Sequence, residues 1–195
     1  PRRQVVLRGA EKAPQQGKSR MSNVTSSATP ERAPSGAVQA GRAFKLAFDD
    51  LGRGDQARLR RAEDPLTVGA FWVCFHAAQQ RHAHAYPPLY GQVVPFLDLL
   101  KQGPGITDSE STAALNVGRF LALHRSRVAL RRVEALLGTE HFEELLDGLE
   151  SVFTLLKGSS FDFGRLLADL ASFDYSIEAR NQVRQHWASA YFQHS

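Results

Sequence analysis

Residues 116–132 read NVGRFLALHRSRVALRR, a stretch that continues a helical apolar pattern and holds five arginines and no acid. Residues 134–150 reverse the sign, with six carboxylates and no lysine or arginine. A surface shaped only by solubility mixes both signs. The segregated charge therefore predicts one surface for a polyanion and a second that faces away from it or meets a basic partner.

The five arginines of this stretch do not form one stripe on a straight helix. They are Arg119, Arg125, Arg127, Arg131 and Arg132. Arg127 and Arg131 are i,i+4 neighbours, whereas Arg119 points to another side. A break is needed to bring the five together, and Ser126 is predicted to supply it as the N-cap of a new helix. Any one of these arginines by itself is best interpreted as a solvated surface residue. The cluster as a whole favours a binding role.

Length and composition place the chain among ordinary globular proteins with a basic tilt. The 195 residues suit one domain or two small ones. An apolar share of 43% is enough for a buried core. A net charge of +4 and a pI near 9.5 favour a nucleic-acid partner.

Apolar residues recur at helical spacing from residue 41 onward. Asp55 is predicted to cap a second short helix, and the apolar run that follows Pro65 predicts a buried helix. We find no alternating strand pattern, repeat period or heptad repeat. We therefore predict an all-α fold of eight or nine short helices in two small packed bundles, residues 41–105 and 106–195.

Residues 1–40 are predicted to be disordered, because they are rich in Pro, Ser, Gln, Gly and charge and poor in apolar residues. Met21 lies inside this segment. Residues 1–20 are therefore interpreted as an upstream or cloning-derived extension, which is left out of the prediction of the fold.

Most aromatic residues are interleaved with apolar core positions, which predicts burial rather than stacking on a ligand. The set predicted to lie in the core comprises Phe71, Trp72, Phe75, Phe153 and Phe173. Trp187 and Tyr191 are i,i+4 neighbours beside two arginines. Exposure is an alternative for this pair, but a core position is favoured.

Signals for catalysis, metals or cofactors are weak. No glycine-rich phosphate loop and no cysteine-pair zinc motif occurs. His82 and His84 form an HxH pair, but no carboxylate or cysteine signature follows it, so surface histidines are the preferred interpretation. Cys74 and His76 face apart on a helix, which argues against a nucleophile pair. We predict no catalytic residue, no metal site and no cofactor.

The single Cys74 excludes an intrachain disulfide framework and fits a reducing, cytoplasmic setting. No apolar stretch approaches the roughly 20 residues of a membrane span, so no membrane partner is expected. Residues 53–55 read Arg-Gly-Asp, which we interpret as a turn and helix cap rather than as an adhesion motif.

Three groups of motifs occur in the order typical of one family, between residues 44 and 192. LGRGDQARLRRAEDP, followed closely by AFW, resembles the beginning of the small subunit of the type I-E CRISPR surveillance complex, Cascade. NVGRFLAL with RRVEALL resembles the middle motif of this family, which is called CasB. FDFGRLLADLASFD, followed by a basic helix, resembles its C-terminal end.

The resemblance implies a non-catalytic, all-helical subunit that works as a homodimer in a ribonucleoprotein. Its partners would be the backbone and large subunits of Cascade, CRISPR RNA and target DNA, mainly the displaced single strand of the R-loop. By motif position and basic clustering, the candidate nucleic-acid-binding residues are Arg58, Arg60, Arg61, Arg119, Arg125, Arg127, Arg131 and Arg132. The family pattern leads us to expect further basic residues after the Arg131–Arg132 pair. Here residues 134–150 are acidic instead, so either the groove is narrower or this face meets another subunit.

Two other interpretations remain open from the sequence. The first alternative is a stand-alone helical nucleic-acid-binding protein. The second is a pure assembly scaffold whose arginines meet acidic protein partners. The first needs a helix-turn-helix with a recognition helix, and none is convincing here. Binding to single-stranded DNA, with its dependence on salt, distinguishes these interpretations from the Cascade subunit.

Overall fold

Nine α-helices occupy the parts of the chain that the computed structural model describes, residues 36–99 and 116–193. In chain order, with a 3-10 turn at Pro65–Thr67 and another at Val94–Asp98, they are α1 (Gly36–Asp50), α2 (Arg53–Arg60), α3 (Gly69–Gln79), α4 (Pro87–Gln92), α5 (Val117–Leu123), α6 (Leu130–Gly138), α7 (Phe142–Leu155), α8 (Phe163–Tyr175) and α9 (Ile177–Gln193). These ranges contain no β-strand. The prediction of an all-α fold with eight or nine short helices is confirmed.

The first helix begins earlier than the predicted end of the disordered segment at residue 40. Helix α1 starts at Gly36 because Val38 and Ala40 are buried together with Phe44 and Phe48. Ala40, Phe44 and Phe48 follow each other at i,i+4 and line one face of the helix. Residues 1–35 lie outside the described residues, so the rest of the predicted disordered segment stays a prediction.

Helix α1 packs against α3 and, across a close approach of two glycines, against α8. A Cβ atom added at Gly41 would lie 2.6 Å from the Cα of Gly164, and one added at Gly164 would overlap the Val38 carbonyl. Side chains at these positions would force the two helices apart, because helix axes normally stay 8–10 Å from each other. Glycine therefore determines how closely α1 and α8 can pack.

A partly buried ion pair joins the same two helices. Arg42 on α1 donates from Nε to Oδ1 of Asp162 at 3.3 Å and from Nη2 to Oδ2 at 2.5 Å. Asp162 is the N-cap of α8, and its Oδ1 also accepts from the backbone N–H of Arg165 at 3.2 Å. The carboxylate thus caps α8 and binds α1. Its hydrogen bond to Arg42 is the main cause that raises the pKa of this guanidinium group, and its charge adds to the effect.

A second close crossing holds α9 against α5 and α8. A Cβ at Gly118 would overlap the carbonyl oxygen of Trp187, which is fully buried. The indole Nε1 of Trp187 donates to Oδ2 of the buried Asp169 at 2.7 Å. Arg165 lies 2.9 Å from the other carboxylate oxygen of Asp169. Burial raises the pKa of Asp169, and Arg165 and the indole partly oppose that shift.

The core is a continuous cluster that draws on both predicted bundles. The ring of Phe44 lies 5.8 Å from Phe71, 5.0 Å from Tyr90 and 6.5 Å from Phe163. Contacts between α1 and α8 cross the predicted division as well, and residues Ala33–Ser195 form one compact unit. The boundary itself, at residues 105–106, lies outside the described residues, so the division into 41–105 and 106–195 stays a prediction.

The aromatic core is as predicted, with Trp72 as the exception. Trp187 and Tyr191 are buried, which confirms the favoured interpretation of that pair. Phe71, Phe75, Phe153 and Phe173 are buried too, but Trp72 is 47% exposed. The prediction for Trp72 is wrong because the buried stripe of α3 is already filled by its neighbours at helical spacing. These neighbours are Phe71, Cys74, Phe75 and Ala78.

Candidate nucleic-acid interface

The arginine-rich stretch is broken into two helices, as its spacing predicts. Helix α5 ends at Leu123, a turn follows, and α6 begins at Leu130. The predicted cap is wrong, because Ser126 lies exposed inside the turn and Ala129 is the N-cap, without a side-chain hydrogen bond. Buried Val128 lies just before α6 and anchors the turn in the core, so the helix begins later than a serine cap would place it.

Two arginines of this segment bind α7. Arg127 donates from Nη2 to the backbone carbonyl of Leu155 at 2.5 Å, at the C-terminal end of α7. A cation there satisfies a free helix carbonyl and complements the helix dipole. Arg132 donates from Nη1 to the hydroxyl of Ser151 at 3.0 Å. Both side chains therefore tie the segment to α7.

The other three arginines of the segment are exposed, and their guanidinium groups have no partner among the described residues. In residues 36–99 and 116–193, no carboxylate or carbonyl accepts a hydrogen bond from the side chain of Arg119, Arg125 or Arg131. Arg119 follows Asn116, which caps α5 by accepting from the Arg119 backbone N–H at 2.9 Å. The cap fixes the backbone here and leaves the guanidinium available for an anion.

The remaining candidates lie in α2 or directly after it. One of them binds another element, and the other two have no partner among the described side chains. Arg60 pairs with Asp98 at 2.6 Å and lies over the ring of Phe48, 5.8 Å from its centroid. It therefore joins α2 to α1 and to the second 3-10 turn. Arg58 and Arg61 are exposed, and their guanidinium groups have no partner among the described side chains. Asp55 lies in the first turn of α2, whose N-cap is Gly52, so the predicted cap is wrong here too.

The two basic groups make no described contact with each other. We refer to Arg58, Arg60 and Arg61 as the α2 arginines, and to the five of residues 116–132 as the α5–α6 arginines. No hydrogen bond, ion pair or ring contact between described residues joins α2 to α5 or α6.

Few carboxylates of the acidic stretch form ion pairs within the described residues. All six of its carboxylates are exposed. Glu140 lies 4.0 Å from Arg184, and this is the one ion pair that the stretch makes within the described ranges. Glu143, Asp147 and Glu150 follow each other at i, i+4 and i+7, which places them on one exposed face of α7. The segregation of charge in the sequence is therefore not an internal ion-pair network.

One histidine lies inside the basic segment. His124 follows α5, and its ring packs against Phe120 at 4.9 Å. Partial burial, and then the nearby charge of Arg127, lower the pKa of His124. The imidazole is therefore neutral at physiological pH, and the arginines alone supply the positive charge of this segment.

The described residues offer neither a cluster of metal ligands nor a membrane-spanning helix. Among the described residues, no group of three or more His, Cys, Asp or Glu side chains is arranged to hold a metal ion. His82 and His84 lie ring to ring at 5.9 Å, without a third ligand of that kind. No helix in residues 36–99 or 116–193 has the length and apolarity needed to cross a membrane.

Comparison with known families identifies the chain. The sequence model of the family described as CRISPR-associated protein Cse2 matches residues 55–192, which run from the first turn of α2 almost to the end of α9. The chain belongs to the Cse2 family. No curated protein and no solved structure matches it significantly.

Membership of the Cse2 family agrees with the resemblance to the CasB small subunit and makes this chain a subunit of the CRISPR complex Cascade. All eight candidate arginines fall inside the matched range. Helix α1 precedes it, yet α1 packs on α8 through Gly41 and Gly164. The structure therefore adds to the matched range a helix on which the Cse2 core depends.

Two features were not predicted from the sequence: the exposure of Trp72 and the ion pair of Arg42 with Asp162. A helical projection of α3 would have shown that Trp72 and Val73 point away from the buried stripe. No local pattern reveals the pairing of Arg42 with Asp162, because these residues are 120 positions apart.

Proposed function

We propose that this Cse2-family subunit stabilises the displaced non-target DNA strand of the R-loop through exposed arginines. It acts as a non-catalytic component of a cytoplasmic Cascade complex. Its partners are the backbone and large subunits, CRISPR RNA, the displaced single strand and a second copy of the same chain. It needs neither a metal nor a cofactor, because the strand is held rather than cut.

The observation that carries the proposal is the state of the guanidinium groups. Five of the eight candidate arginines are exposed and have no partner among the described residues. They are Arg58, Arg61, Arg119, Arg125 and Arg131. Acidic residues nearby could have neutralised them, but the carboxylates of residues 134–150 do not pair with them. Unpaired arginines bind phosphate oxygens without reading sequence.

The physics of the R-loop makes such a surface effective. R-loop formation exchanges a DNA duplex for an RNA–DNA duplex of similar stability. A few phosphate contacts to the displaced strand are therefore enough to shift the balance. The displaced strand has an arbitrary sequence, so its holder needs charge rather than base recognition.

The test uses two double variants, each of which removes two arginines that have no partner among the described residues. Arg125→Ala with Arg131→Ala removes two cations from the α5–α6 arginines, and Arg58→Ala with Arg61→Ala removes two from the α2 arginines. Each phosphate contact on a single strand contributes about 0.7 to the slope of log affinity against log salt. We expect each double variant to lower the slope by roughly 1.4, equally for different DNA sequences.

The matched control is Arg81→Ala. Arg81 is exposed and unpaired among the described residues, but it follows α3 and belongs to neither group. Its slope should equal that of the wild type. In the assembled complex, the double variants should form R-loops less completely while guide RNA stays bound. Unchanged slopes and unchanged R-loops in both double variants would favour an assembly scaffold instead.

A further inference from the structure

The indole of Trp72 is exposed and yet held in one orientation. Its Nε1 donates to the backbone carbonyl of Leu66 at 2.8 Å. Its ring makes edge contacts with Phe71 at 5.3 Å and 89° and with Phe75 at 5.8 Å and 86°. The neighbours therefore fix the ring against the core while 47% of the residue stays open to solvent.

Folding alone does not account for this arrangement. A tryptophan carries a large apolar surface, and leaving about half of it in water forfeits a large part of the stabilisation that burial provides. Val73, the next residue on the same side of α3, is 59% exposed. Because the ring is already fixed in one orientation, little side-chain entropy is lost when a flat ligand stacks on it.

Exposed arginines lie on the helix next to α3 and directly after it. Helix α2 carries Arg58, is followed by Arg61 and packs against α3, and neither guanidinium group has a partner among the described residues. Arg61 and Leu66, whose carbonyl binds the indole, are five positions apart in sequence, so their backbones lie within roughly 18 Å of each other.

The acidic residues between these groups do not block the site. Asp64 is occupied as the cap of the 3-10 turn, where its Oδ1 accepts from the Leu66 backbone N–H at 3.0 Å. Glu63 is exposed and is the one other carboxylate between Arg61 and the indole in sequence. Asp64 keeps its charge in this hydrogen bond, but residues 53–66 carry four arginines against three carboxylates and so have a net charge of +1.

We propose that Trp72 is a base-stacking platform for the single strand whose phosphates the α2 arginines bind. This inference rests on the proposed function and adds to it a preference for unpaired bases. Base stacking on an aromatic ring tolerates any sequence, because every base has a π face. A duplex has no free base face to offer, so the platform selects single strands over duplexes, which charge alone does poorly.

The fluorescence of the full-length chain reports on this ring directly. The chain has two tryptophans, and Trp187 is fully buried with its Nε1 bound to Asp169. Quenching by added DNA therefore comes from Trp72. The probes are a 20-mer of thymidine and an abasic 20-mer, which has the same phosphates and no bases. We expect the thymidine strand to quench the emission and the abasic strand to bind without quenching.

The variant Trp72→Leu tests the energy of the contact. We expect its affinity for the thymidine 20-mer to fall about 5- to 150-fold, toward the wild-type affinity for the abasic strand. The salt slope should stay at the wild-type value, because the phosphate contacts remain. Val73→Ala is the matched control on the same side of α3 and should change neither measurement. Trp72→Phe keeps an aromatic face and should bind more tightly than Trp72→Leu.

The outcomes separate the inference from the proposed function. If wild-type protein binds both strands with a steep salt slope but equal affinity and no quenching, the platform is refuted and the basic surface stands. If it binds neither strand, both are refuted. If Trp72→Leu binds DNA normally but no longer joins the other Cascade subunits, the ring is a protein-docking residue. If Trp72→Leu does not fold, wild-type quenching and the Trp72→Phe affinity decide the question.

Discussion

At the scale of single residues, the arginines divide into two kinds according to what their guanidinium groups contact. Arg42, Arg60, Arg127 and Arg132 bind acceptors on other helices or turns and hold elements together. Arg58 and Arg131, by contrast, are exposed and have no such acceptor in the part of the chain that the structure describes. Sequence clustering treats both kinds alike, because composition does not show which side chain has found an acceptor.

Arg42→Ala should lower the free energy of unfolding by about 1.5–3 kcal/mol, because it leaves the buried carboxylate of Asp162 without its charged donor. Arg58→Ala is the matched control and should stay within about 0.5 kcal/mol of the wild type, since its guanidinium is exposed and unpaired in the described structure. Urea unfolding followed by circular dichroism measures both. Equal stabilities of the two variants would show that the pair contributes nothing net.

Cys74 should make the stability depend on pH in the alkaline range. Burial raises the pKa of its thiol to about 11, whereas an unfolded thiol ionises near about 8.5. The folded thiol stays neutral while the unfolded one ionises, so this contribution is complete below about pH 8.5 and is lost as pH rises toward 11. Urea unfolding at pH 8 and pH 10 should show a smaller decline for Cys74→Ala than for the wild type. Identical declines would contradict the burial of the thiol.

At the scale of the elements, helices approach closely where glycine removes a side chain. Gly41 and Gly164 join α1 to α8, and Gly118 joins α5 to α9 at Trp187. Each of these glycines precedes an arginine, so the G-R pairs in the sequence mark helix crossings as well as positive charge. A Gly-Arg pair that looks like part of a binding surface therefore also determines where two helices pack closely.

Gly118→Ala should destabilise the fold by about 1–3 kcal/mol or more, because the new methyl group would overlap the backbone carbonyl of Trp187. Gly138→Ala is the control. Gly138 ends α6 with no atom within 4 Å of an added Cβ, so alanine there should be neutral or stabilise by about 0.4–1 kcal/mol. Thermal melts compare the two variants. A Gly118→Ala protein as stable as the wild type would mean that α5 and α9 lie farther apart than described.

At the scale of the whole molecule, the basic and acidic stretches pack side by side without forming ion pairs between their described residues. The four exposed carboxylates of α7, Glu143, Glu144, Asp147 and Glu150, have no described ion-pair partner. The α5–α6 arginines belong to neighbouring elements, yet they do not neutralise this face. Such charges can meet their complement on a second chain, which fits the proposed homodimer.

We expect the isolated protein to self-associate weakly and to form a dimer inside the assembled complex. Because the contact is electrostatic, rising salt should weaken it, and Glu143→Gln with Asp147→Asn should weaken it at low salt. Sedimentation over a range of concentrations and salt measures this. A monomer under all conditions, together with a single copy in the assembled particle, would contradict the prediction.

The sequence by itself determined the helical class, the break after α5 and the segregation of charge. Helical periodicity is local, and the sign of a side chain does not depend on the fold. Family membership follows from the order of short motifs, which is also a property of the sequence.

Only the tertiary structure decided which arginines are free and which aromatic ring is exposed. Arg127 is occupied by a carbonyl 28 residues away, and Arg42 by a carboxylate 120 residues away. Trp72 is exposed because other side chains already fill the buried stripe of α3. Burial and pairing depend on contacts between residues distant in sequence, and these contacts exist only after the helices have packed.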